Sequence, residues 1–143
     1  MSAKKQNSAL RKLSGIRRSA ATVDELEQLA DALGWRCIPL DGTEVADKDA
    51  FLEQCAVSFG LPEWFGMNWD ALEECLGELD LDTEGVVVLW SEWAEFAEAE
   101  PADFAVALDV FMSAAHAWRE DGVKGGIVLV GPGPNSELEV PEL

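Results

Sequence analysis

Val86-Val87-Val88-Leu89-Trp90 is an unbroken apolar run between Gly85 and Ser91, and it restricts the fold more than any other stretch. A strand with one face in water alternates apolar and polar residues. One that is apolar at every position must be covered on both faces, as in a parallel sheet flanked by helices. A second such run, Ile127 to Val130, lies between Gly125-Gly126 and Gly131-Pro132-Gly133-Pro134, and Trp35 to Leu40, closed by Asp41-Gly42, reads as a third short strand. Amphipathic segments separate them. Thr22-Val23-Asp24-Glu25 is a capping box ahead of Val23, Leu26, Leu29, Ala30 and Leu33, and Gly34 ends that helix. Asp47 to Phe59 turns Phe51, Leu52, Cys55 and Phe59 inward, and Pro101 opens a long helix to about Asp121 with Phe104, Leu108, Phe111, Ala115 and Trp118 on one face. Strands alternating with helices predict a layered α/β domain, a small three-stranded parallel sheet covered by helices.

A chain of 143 residues that is 48% hydrophobic has enough apolar material for one good core, so a single domain is expected. Its charge is unevenly placed. Six of the ten basic residues fall before Asp24, the first acid, leaving four basic against 28 acidic residues after Ser19, a net of −24. Such a surface repels nucleic acid and anionic membrane and attracts basic proteins at long range. Residues 1–19 read as a basic, solvated arm whose removal should leave the fold intact, 20–131 as the domain, and 132–143 as an acidic tail. No run approaches the roughly 18 apolar residues of a membrane span, and the start of the chain lacks a signal-peptide core, so a cytoplasmic protein is expected. Cys37, Cys55 and Cys75 are widely spaced among apolar neighbours and read as reduced, buried small hydrophobes. With a lone His116 they supply no metal-ligand spacing, and neither a metal nor another cofactor is expected.

The most specific stretch is Leu61 to Leu79. Asn68 is placed to cap a short helix, with Asp70 beside the positive end of its dipole. Trp69, Leu72, Cys75, Leu76 and Leu79 recur at helical spacing, whereas Asp70, Glu74 and Glu78 fall four residues apart with Glu73 alongside. One side is apolar and the other a line of carboxylates. Just before it, Trp64 and Phe65 sit between Pro62 and Gly66, in a loop that turn chemistry keeps irregular.

The run from Leu61 to Leu76, with Leu-Pro, two aromatics, Gly-x-Asn-x-Asp-Ala-Leu, then an acid and Leu, resembles the signature of the barstar family, small acidic inhibitors of secreted bacterial ribonucleases. The resemblance extends over the element order from about residue 37 to 130. It implies a barstar-like fold and a non-catalytic inhibitor that binds a small basic ribonuclease, as a monomer in a 1:1 complex. It implies further that Trp64, Phe65, Gly66, Asn68, Trp69, Asp70, Glu73, Glu74 and Gly77 form the enzyme-facing surface, in an antitoxin or immunity role. The type inhibitor has aspartate at the position of Glu74 and tryptophan at that of Glu73. Its late-helix acid meets only Ser113 or Ala117 here, and no proline precedes Val86, departures that imply a different target enzyme.

Two other classes compete on the residues alone. Paired acids can perform general acid/base chemistry, but Asp70, Glu73 and Glu74 have no His or nucleophile near them in sequence, so no catalytic residue is assigned. An acidic adaptor or nucleic-acid mimic would bind a basic partner that is not a nuclease.

Overall fold

Because successive side chains on a strand point to opposite faces, an all-apolar strand feeds two cores, and β3 (Gly85–Ser91) does so. Val86, Val88 and Trp90 enter one buried cluster and Val87 and Leu89 another. The computed structural model describes residues 9–62, 65–133 and 140–143.

The described elements run β1 (Ser14–Ser19), α1 (Val23–Leu33), β2 (Arg36–Asp41), α2 (Lys48–Phe59), α3 (Trp69–Gly77), β3, α4 (Ala94–Ala99), α5 (Pro101–Glu120) and β4 (Lys124–Val130). All strand pairings are parallel, in the order β1-β4-β3-β2. Leu26 and Ala30 of α1 cover the face carrying Val87, Leu89, Val128 and Val130. The larger core, on the other face, takes Phe51 and Leu52 from α2, Leu72 and Leu76 from α3, Phe96 from α4, and Phe104 and Phe111 from α5.

The expected helices form for the expected reasons. Thr22 and Glu25 close a reciprocal capping box on α1, and Gly34 ends it in the left-handed conformation at φ 73°. Asp47 caps α2 by accepting the Ala50 N–H at 2.8 Å, and Pro101 opens α5, where its missing N–H costs no helical bond.

The sheet corrects the expectation of three strands, for it has four. The additional one, β1, comes from the stretch read as a solvated arm, and it pairs with β4 from Ser14 opposite Gly125 to Ser19 opposite Val130. Ahead of it a turn of helix over 9–11 buries Leu10, while Leu13 is 2% exposed and Ile16 is buried in the larger core. The other end of the chain also meets β1. Arg18 N–H donates to Pro141 O at 2.9 Å, and Leu143 N–H donates to Arg18 O at 2.8 Å, so residues 140–143 lie along the outer edge of β1. Close pairing of β4 with β3 depends on Gly125, at φ 112°, where a β-carbon would come within 1.8 Å of Val86 O.

Candidate functional site

The loop ahead of α3 is shaped by its backbone. Gly60 ends α2 at φ 62°, Leu61 N–H donates to Ala56 O at 2.9 Å, and Phe65 N–H to Pro62 O at 2.9 Å. That turn drives Phe65 inward until it is 8% exposed within the larger core. Phe65 therefore does not belong to the exposed surface on which it was expected; as an apolar ring it is more stable buried, and it holds the loop from beneath. Trp64 lies outside the described residues. Gly66, Met67 and Asn68 are exposed.

Asn68 performs two tasks at the start of α3. Its Oδ1 accepts the Ala71 N–H at 2.8 Å, and its Nδ2 donates to Gly66 O at 3.2 Å, joining the helix cap to the loop. Trp69 is half-buried, its ring 5.7 Å from that of Phe51, with Lys48 Nζ 5.8 Å from the ring centroid. Beyond it Leu72, Cys75 and Leu76 are buried, while Asp70, Glu73, Glu74 and Glu78 are exposed, so the apolar and acidic sides fall as the periodicity requires. Gly77, the last helical residue, is half-buried. The carboxyl end is pinned from below, where Trp118 Nε1–H on α5 donates to Leu76 O at 2.8 Å across a buried contact. The Leu76 carbonyl, which also accepts the Leu79 N–H at a long 3.4 Å, thereby gains a closer donor at the helix end.

The electrostatics of this face are one-sided. Among the described residues none of Asp70, Glu73, Glu74 and Glu78 makes an ion pair, the one described pair being His116 with Glu120 on α5. The row shows its influence on the thiol below it, since burial and the charges of Glu74 and Glu78 raise the Cys75 pKa above its usual value. What results is a row of carboxylates without ion-pair partners on a helix that begins just after exposed Gly66, Met67 and Asn68. Its chemistry is that of an anionic ligand for a cationic surface. No group of three or more His, Cys, Asp or Glu among the described residues is placed to hold a metal ion. None of their helices is long and apolar enough to cross a membrane.

The sequence profile of the family described as Barstar (barnase inhibitor) matches residues 35–130, which include β2, the loop, α3 and every element through β4. The chain belongs to the barstar family. This is an inhibitor family and not a catalytic one, and the domain here is accordingly of inhibitor type. No curated protein matches the chain. Among solved structures, the Aeropyrum pernix ORC2 protein in ADPNP-ADP complexes is similar, with a TM-score of 0.56 at 14% identity. That match covers 92% of this barstar-family chain but 40% of the other, and it concerns the fold alone.

Of the residues that the resemblance places at the partner-facing surface, Gly66, Asn68, Asp70, Glu73 and Glu74 are exposed, Trp69 and Gly77 are half-buried and Phe65 is buried. Two residues beside this face were not marked by the sequence reading. Met67 is 39% exposed and holds φ 51°, a conformation rare outside glycine, and its position between Gly66 and the cap residue is the signal that could have marked it. Lys48, over Trp69, comes from a helix distant in sequence, and no local pattern announces it.

Proposed function

We propose that this barstar-family protein inhibits a small basic ribonuclease stoichiometrically, by setting the 61–68 loop and the acidic side of α3 into the enzyme's RNA-binding cleft. A ribonuclease must hold phosphates with Arg, Lys and His, so its cleft is cationic. Carboxylates on a rigid helix can take the place of those phosphates, forming charge-assisted hydrogen bonds that exclude RNA. The observation that carries this reading is the unpaired row Asp70, Glu73, Glu74 and Glu78 on a helix fixed at both ends, by Asn68 and by Trp118. Little ordering remains to be done on binding, which is the advantage of preorganisation.

In this role Asp70 and Glu74 enter the cleft, Glu73 lies at its rim, and Gly66, Met67, Asn68, Trp69, Gly77 and the neighbouring Trp64 supply the surrounding contact. Phe65 supports them from the core. The protein acts in the cytoplasm as a monomer, in a 1:1 complex that protects the cell from the nuclease. Net charge steers the encounter, and the standard case of such steering is the type pair of this same family.

The test is to titrate guanyl-type ribonucleases with the protein while following RNA cleavage. Inhibition complete at one equivalent, with no cleavage by the protein itself, is the expected result. Ribonuclease activity in the protein would refute the proposal, and capture of a basic partner that is not a nuclease would favour an acidic adaptor.

A further inference from the structure

With ten basic residues against 28 acidic ones, cations in this chain should be dispersed and neutralised. At one place they are neither. Two segments distant in sequence, 11–13 and the 119–124 turn, converge where β1 and β4 begin. The register sets Ser14 beside Gly125, so Leu13 and Lys124, one position earlier on each strand, run together. From the end of α5, Gly122 N–H donates to Arg119 O at 3.0 Å and Val123 N–H to Trp118 O at 2.8 Å, a turn that brings Arg119 to the same place. The outcome is an open groove of about 450 Å³ with Arg11, Lys12, Arg119 and Lys124 around Leu13 and Val123. The four cations are exposed and the two apolar side chains are buried, forming its floor.

Among the described residues none of the four cations makes an ion pair, not even with Glu120 and Asp121, the two exposed acids that follow Arg119 in sequence, and Glu120 Oε1 lies instead 3.2 Å from His116 Nε2. The negative end of the α5 dipole accounts for Arg119 and Lys124. It does not account for Arg11 and Lys12, which arrive from the other end of the chain. Like charges gathered without an ion-pair contact repel one another, and a multiply charged anion relieves that repulsion.

We propose that this groove binds a small molecule carrying phosphate groups, held by Arg119, Lys124, Arg11 and Lys12, with any apolar part of the ligand resting on Leu13 and Val123. Two guanidinium forks and two ammonium groups suit phosphate oxygens, which Arg can engage in pairs. The ligand is small because the groove falls in the volume range of small-molecule sites, and because a net charge of −18 repels an extended polyanion. No residue of the groove belongs to the 61–68 loop or to α3, so the site stands independently of the inhibitor face.

The experiment is calorimetric titration of the full chain at low ionic strength, with tripolyphosphate in one arm and ATP in the other. Saturable binding of at least one probe is expected, weakened at least about tenfold in the Arg119→Gln/Lys124→Gln double variant, as the loss of hydrogen bonds to a charged group implies. Asp70→Ala should leave it unchanged. Tighter binding of ATP shows that the Leu13 and Val123 floor accepts a base, and equal or weaker binding shows that phosphate alone is read. Circular dichroism checks that the variant folds, and Arg11→Gln/Lys12→Gln repeats the test from the other side of the groove. Absence of saturable binding, binding that survives both double variants, or binding of a single-stranded RNA oligomer alone overturns the proposal.

Discussion

Leu13→Ala separates a docked amino-terminal strand from a solvated arm. Leu13 is 2% exposed and shares a buried cluster with Leu10, Leu26, Trp35, Val87 and Val128. Truncation removes three carbons of side chain from that cluster and leaves a cavity, a change that costs about 2–5 kcal/mol where the surroundings cannot close over it. Because Leu13 lies where the chain enters the sheet, neighbouring backbone can shift, which places the expected loss in the lower half of that range. Against a total stability on the order of 5–15 kcal/mol this is a large fraction, corresponding to a fall in Tm on the order of 10 °C. The assay is urea and thermal denaturation beside Val57→Ala, a residue 77% exposed on α2, for which a change within about 0.5 kcal/mol is expected. Deleting residues 1–19 should do more harm still, removing Leu10, Leu13 and Ile16 together and leaving β4 as a bare edge prone to pair with other chains. If Leu13→Ala costs no more than Val57→Ala, and the truncated protein melts normally, β1 contributes nothing to the fold.

Trp118→Phe keeps most of the buried ring but removes the Nε1–H bond to Leu76 O. It should cost about 1–3 kcal/mol in denaturation and speed amide exchange in the last turn of α3. Burial, with the charge of Glu27 added, pushes the Cys37 thiol from 9.0 up to about 11, and burial alone drives Cys55 higher still. The fold thus holds these protons more tightly than the unfolded chain does. Their contribution is complete below pH 9.0 and is lost as pH rises, for Cys37 by about pH 11. The denaturation midpoint should fall over that window, and less so in Cys37→Ala. Association with a basic partner should be fast at low ionic strength and slow steeply with salt, since charges are screened over ~8 Å at physiological ionic strength. A stopped-flow on-rate that stays flat across a salt series would remove long-range steering from the account.

β3 and β4 were legible because every residue of their central runs is apolar, a pattern that only a doubly covered strand tolerates. β1 was hidden for the opposite reason. Its sequence Ser-Gly-Ile-Arg-Arg-Ser places one buried residue, Ile16, among half-buried Ser, Gly and Arg. Its order comes from partners remote in sequence, namely β4 along one edge and residues 140–143 along the other. Arg18, which reads as a solvated charge, lies 5.2 Å from the centroid of the Trp93 ring and donates to Gly133 O at 3.4 Å. At the candidate site the acidic and apolar sides of α3 follow from helical periodicity, and Asn68 announces its own cap. The inward turn of Phe65 does not, since two adjacent aromatics in a loop carry no signal for which is buried. The basic groove was illegible because residues 11–12, 119 and 124 become neighbours only through β1–β4 pairing and the α5–β4 turn.

The central claim, that α3 presents carboxylates to a cationic cleft, is tested most directly by the affinity of a captured cognate ribonuclease for three variants. Asp70→Ala and Glu74→Ala should each weaken binding by roughly 2–5 kcal/mol, because each leaves a cationic group of the enzyme desolvated and unpaired. Glu98→Ala, exposed on α4 and not on α3, should cost less than about 1 kcal/mol, as expected of a charge outside the proposed contact. Equal losses in all three variants would mark a diffuse acidic binder and contradict the assignment of the site to this helix.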